Sequence, residues 1–93
     1  MSTKVKVFVT THCSYCNMAK RFLAANGIEF ETIDVTTDAA RRDWLVSTTG
    51  QRTVPQIFVG DTSVGGYSDL TALHRKGGLQ PLLEENSVPH TLT

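Results

Sequence analysis

The stretch "VKVFVTTHCSYC", residues 5–16, decides how the chain is read. Val5, Val7 and Val9 alternate with Lys6 and Phe8, the period of two expected of a strand with two different faces. Cys16, Ala19, Phe22 and Leu23 then share one face at helical spacing, while Lys20 and Arg21 fall outside it. Both cysteines of the chain lie between these two patterns, spaced Cys-x-x-Cys. Three explanations compete for such a pair: a structural disulfide, half of a metal site, or a redox centre.

Composition narrows the field. Ninety-three residues allow one modest core rather than two. Nine basic and nine acidic side chains cancel, so no global charge favours nucleic acid or an anionic membrane. No apolar run approaches the roughly 20 residues that span a bilayer. The first residues lead straight into a strand pattern without an apolar signal segment, which predicts a cytoplasmic protein. Ordinary thiols stay reduced there, and the loop closed by Cys13 and Cys16 is too small to constrain the unfolded chain much. A structural zinc site wants four ligands, whereas His12, His74 and His90 are scattered and read as surface histidines.

Working outward, Thr10, Thr11 and Ser14 offer capping oxygens for a first helix that stops at Asn26-Gly27. A second strand is expected over 28–35. Thr36 or Thr37 would cap a second helix with Asp38 in its first turn, ending at Gly50. Trp44 reads as core, and Arg41-Arg42 as a solvated helix face. Ile57-Phe58-Val59 suggests a strand covered on both sides, paired through a turn at 60–62 with a strand at Ser63-Val64. Ser68 is the expected cap of a third helix ending at Gly77-Gly78. Leu79, Leu82 and Leu83 mark a last helical turn. The expected order is βαβαββα: one domain over residues 1–85, with 86–93 a frayed tail.

The chemistry follows from where Cys13 falls. The first N–H groups of a helix lack partners and carry partial positive charge. A thiolate there is favoured over a thiol, with a pKa lowered from about 8.5 into the range of roughly 3.5–7.5. Cys13 is therefore the expected nucleophile, and Cys16, one turn on and facing the core, the resolving thiol. Taken locally, Val54-Pro55 reads as a trans proline opening a strand, because cis makes up only about 5–6% of X-Pro bonds. Were it cis, the Val54 backbone would be left for an extended peptide to pair with. In "GGYSDL" the glycines permit close approach, the helix start suits a carboxylate, and Asp69 suits an amine. Read alone, it is an ordinary capped helix.

Taken together, "CSYC", "TVPQIF", "GGYSDL" and "GGLQPLL" resemble the glutaredoxin family over about residues 4–84, nearest to its short dithiol bacterial members. The resemblance implies an α/β thioredoxin-like fold, a four-stranded mixed sheet with helices on both faces. It implies a cis Pro55 and glutathione as reductant. Thr53, Val54 and Pro55 would line the glutathione site, Val54 holding the cysteinyl part through its backbone. Gly66, Tyr67, Ser68 and Asp69 would hold the γ-glutamyl end. Tyr15 would flank the sulfur, and Arg42 and Arg52 would meet the glycine carboxylate. Ser14 departs from the proline common at its position, and Thr10 from a frequent lysine. His12, next to Cys13, offers partial compensation when protonated.

The implied activity is glutathione-dependent reduction of glutathionylated or disulfide-bonded proteins by a monomer. An alternative stays open: a dimer bridging a [2Fe–2S] cluster through Cys13 and two glutathiones, which Ser14 favours. The Cys-Gly-Phe-Ser of the family's dedicated cluster carriers is absent.

Overall fold

A computed structural model describes residues 4–92. Strand β1 (Val5–Val9) is followed by helix α1 (Ser14–Ala25), strand β2 (Glu31–Asp34), helix α2 (Ala39–Thr49) and strand β3 (Gln56–Val59). Strand β4 (Thr62–Gly65), helix α3 (Tyr67–Arg75) and helix α4 (Leu79–Glu85) complete the chain. The sheet order is β2-β1-β3-β4, with β1 parallel to β2 and antiparallel to β3. The β3–β4 pair is the expected hairpin.

Alternation along β1 sends its side chains into two cores. Val5, Val7 and Val9 join Ile57 and Val59 beneath Cys16, Ala19 and Leu23 of α1, Leu70 of α3, and Leu79 and Leu83 of α4. Phe8 and Phe58 point the other way and meet Val35 and Leu45 of α2. Helices thus cover both faces, as the sheet's apolar residues on both sides require. Trp44 differs from its expected core place. Its ring packs 5.8 Å from Phe8 and 5.7 Å from Phe58, yet it stays 48% exposed at the edge of the smaller core.

Local hydrogen bonding explains where the boundaries moved. The Ile28 amide is already spent on the Leu23 carbonyl at the end of α1, so β2 starts only at Glu31, opposite Lys6. Asp38, not Thr36 or Thr37, caps α2, its carboxylate accepting the Arg41 N–H at 3.0 Å. Thr36 is occupied elsewhere, donating its hydroxyl to Asp34 at 2.6 Å. Gly66 replaces Ser68 as the cap position of α3, because the Asp69 carboxylate reaches back to the Gly66 N–H at 3.0 Å. Pro81 falls in the first turn of α4, where a missing N–H loses no intrahelical bond.

The tail expected to fray over residues 86–93 is held down at several of its described residues, and Thr93 lies outside the described residues. Val88 and Leu92 are buried in the larger core, and the Thr91 N–H donates to the Asn26 carbonyl at 2.8 Å. Their i, i+4 apolar spacing is a short signal, easily lost in a segment without regular structure. Among the described residues no helix is long and apolar enough to cross a membrane.

Candidate active site

The β1–α1 junction sets the first element of the site. Thr10, Thr11 and Ser14 do not cap α1; Cys13 does, with extended backbone and its Sγ accepting the Cys16 N–H at 3.1 Å. A sulfur in that place stands on the unpartnered amides and positive dipole end of the helix. Cys13 is partly exposed and Cys16 is buried beneath it, and the two are joined as a disulfide with Cα atoms 5.2 Å apart. Burial separates the pair as expected, the outer sulfur open to attack and the inner one sheltered.

The second element comes from the segment leading into β3, the neighbour of β1. Val54–Pro55 is cis, against the local reading and in line with the resemblance. The Val54 carbonyl oxygen lies 3.7 Å from the Cys13 sulfur. Beside it a hollow of about 330 Å³ is lined by Tyr15, Gln51, Thr53, Val54, Pro55, Gly66, Tyr67, Ser68 and Asp69. Tyr15 and Tyr67 flank it with ring centroids 6.3 Å apart. A neighbouring hollow of about 340 Å³ holds Arg42 and Arg52 and shares Gln51, Thr53 and Val54 with the first. The residues singled out from sequence are therefore brought together. Two cations mark one end and the Asp69 carboxylate the other, a polarity that suits a ligand charged oppositely at its ends.

The glycines divide into two cases. Gly65 has φ +104, and a side chain there would collide with the Asp69 carboxylate, so the fold itself demands glycine. At Gly66 an added Cβ would meet the Pro55 carbonyl at an ordinary 3.5 Å, so space there serves the hollow rather than the backbone.

A hydroxyl network ties the loop before Cys13 to Arg42. The Thr11 N–H donates to Thr36 Oγ1 at 2.9 Å, Thr36 donates to Asp34, and Arg42 Nη1 donates to the Thr36 carbonyl at 3.4 Å. The hydroxyl and amide of Thr36 hold the Asp34 carboxyl below its ordinary value. Sequence reasoning missed this tie between the loop before Cys13 and Arg42. It missed Gln51 as well, whose place in both hollows has no local sequence signal.

The histidines do not converge on the cysteines. His12 is exposed with φ +59, His74 packs edge-on against Phe22, and His90 contacts Glu84 at 3.2 Å. Among the described residues no three His, Cys, Asp or Glu side chains gather as a metal site.

A buried and an open sulfur bonded across the first turn of a helix, on a mixed four-stranded sheet of this topology, define a thiol–disulfide oxidoreductase of thioredoxin-like fold. The family model described as glutaredoxin matches residues 5–64. Glutaredoxin 3 of Escherichia coli is 39% identical over 80 residues, spanning 86% of this chain and 96% of its own. A glutaredoxin of Neisseria meningitidis is 42% identical over 80 residues, spanning 85% and 94%. The crystal structure of a buckwheat glutaredoxin–glutathione complex superposes with a TM-score of 0.84 at 34% identity, covering 91% of this chain and 80% of that one. The chain belongs to the glutaredoxin family.

Proposed function

We propose that the protein reduces protein–glutathione mixed disulfides, and protein disulfides, with glutathione as the electron source. The Cys13 thiolate attacks the glutathione sulfur of the mixed disulfide. A Cys13–glutathione bond forms as the protein thiolate leaves. A second glutathione thiolate attacks that bond, releasing oxidised glutathione and restoring the Cys13 thiolate. With a protein disulfide, Cys13 forms a mixed disulfide to one protein sulfur, and Cys16 displaces it after losing its proton. The chain is left oxidised as Cys13–Cys16, and two glutathiones then return it to the dithiol.

One observation carries the reading: the Cys13 sulfur caps α1 beside a hollow whose lining holds backbone at Val54 and a helix start at Gly66–Asp69. In this reading the Val54 backbone pairs with the cysteinyl residue of glutathione. Gly66, Tyr67, Ser68 and Asp69 take its γ-glutamyl end, and Arg42 and Arg52 its glycine carboxylate. Thr53 and Pro55 complete the wall, and Tyr15 covers the sulfur. The glutathione bound in the related buckwheat protein supports this assignment. The setting that suits such a reductase is the glutathione-rich, thiol-reducing cytoplasm.

The test is glutathione-dependent reduction of a glutathionylated peptide. Cys13→Ser is expected to fall to the uncatalysed rate, while Cys16→Ser keeps turnover on this substrate and loses it on a peptide disulfide. Deglutathionylation surviving in Cys13→Ser would overturn the assignment. The cluster-bridging alternative forecasts something else. Anaerobic reconstitution with iron, sulfide and glutathione would then give a coloured dimer dependent on Cys13, its remaining ligands coming from outside the chain.

A further inference from the structure

The segment between α2 and β3 brings Thr53 and Val54 into both hollows. Among the described residues, the backbone groups of Gln51 to Val54 make no hydrogen bond to another backbone group. A segment without such bonds is free to shift unless side chains hold it. One side chain does most of this. Gln56 is completely buried in β3, and its Nε2 donates to the Thr53 carbonyl at 2.8 Å and to Gln51 Oε1 at 2.9 Å. Both partners are acceptors, so the amide nitrogen must face them and the orientation of the group is fixed. On the α2 side, Thr49 ties down the start of the segment, its hydroxyl accepting the Gln51 N–H at 3.1 Å.

Gln56 does this at the expense of the fold. Its Oε1 is buried with no hydrogen-bond partner among the described residues. An unpaired buried carbonyl is destabilising, and an apolar side chain of similar size would sit in the same strand without it. The neighbouring β3 residues Ile57, Phe58 and Val59 are all apolar. A glutamine among them is poorly explained by packing and well explained by the segment it holds.

We infer that Gln56 is a positioning residue: it holds the Thr53–Val54 backbone at the place where an extended thiol peptide pairs with it. The inference rests on the glutathione reading above and adds to it the group that keeps the binding edge in register. Gln56 does not touch the reacting sulfurs, so its loss acts on substrate capture and leaves the chemistry at Cys13 intact.

The experiment uses Gln56→Leu and Gln56→Met in the full chain. It measures kcat and KM for a glutathionylated peptide, the thermal midpoint, and the alkylation rate of Cys13. The expected result is a KM raised about tenfold, the scale of one lost placement. The kcat and alkylation rate stay as in wild type, and the midpoint is equal or higher. A glutamine kept only for structure would lower the midpoint and leave KM unchanged, and an unchanged KM in a folded variant overturns the inference. Should neither variant fold, side-chain amide exchange in wild type still decides. S-methylglutathione is expected to slow exchange of the Gln56 Nε2 protons, and no change on its addition overturns the role. A wild-type protein that reduces a glutathionylated peptide no faster than a plain peptide disulfide fails the glutathione reading instead.

Discussion

The two faces of the sheet are built to different standards. On one, α1, α3 and α4 seal a core in which Val5, Ala19, Leu70, Leu79 and Leu83 are wholly enclosed. On the other, α2 buries Leu45 alone and rests on Phe8 and Phe58 through its own half-exposed Trp44. The heavy face carries Cys16 and the start of α1. The light face carries Arg42 and leads into the segment with Thr53 and Val54. The sulfur is thus mounted on the fully enclosed side of the molecule, and the surface proposed to grip the substrate is divided between Gly66–Asp69 on that side and Arg42 with the segment after α2 on the more open one.

The comparison breaks most easily in the cores. Leu83→Ala is expected towards the top of the roughly 2–5 kcal/mol range for emptying a buried leucine, since its surroundings are closed on every side. Leu45→Ala belongs near the bottom, because the Trp44 ring can settle into the space, and it should raise KM as α2 shifts. Urea unfolding of both variants, alongside their kinetics, measures this. Equal losses would mean that the two faces are equally firm.

A finer probe is already in place. Trp44 is the chain's only tryptophan and reports on the light face alone. Its fluorescence is expected to change at lower urea than the far-ultraviolet circular dichroism, as α2 loosens before the rest. Coincident curves would mean that the faces unfold as one unit.

The smallest difference is electrostatic. Asp34 closes the edge strand β2 and Glu84 stands on α4, and both are exposed carboxyls held below their ordinary values. For Asp34 the main cause is the Thr36 hydroxyl; for Glu84 it is Gln80, then His90. A lowered folded pKa means that stability is present above the unfolded value and lost as pH falls through the folded one. Both contributions therefore decline as acid protonates these carboxyls in the folded protein. Asp34→Asn and Glu84→Gln should each flatten part of the acid limb of stability against pH. An acid limb unchanged in both would show these hydrogen bonds to be idle in solution.

Much of this was written locally in the chain. The alternation at 5–9, the helical face through Cys16 and Leu23, and the Gly50 stop all depend on near neighbours, and they placed β1, α1 and α2. The cysteines were legible for the same reason. What escaped depended on partners distant in sequence. Val88 and Leu92 gain meaning only once the end of α1 is beside them. Thr36 forgoes its cap because Asp34 and Thr11 claim it. The cis bond at Pro55 was invisible to local preference and came only with the resemblance of four separated motifs. Gln56 was quoted within a motif, but its task appears only when Thr53 and Gln51 fold back over it.

The Thr91–Asn26 hydrogen bond has a spatial consequence. Helix α1 separates Asn26 from Cys13 by about 20 Å at about 1.5 Å per residue. The last described residues therefore dock at the rear of the rod whose front bears the sulfur. Thr91 and Leu92 thereby cover the far end of the helix and leave its Cys13 end clear of them.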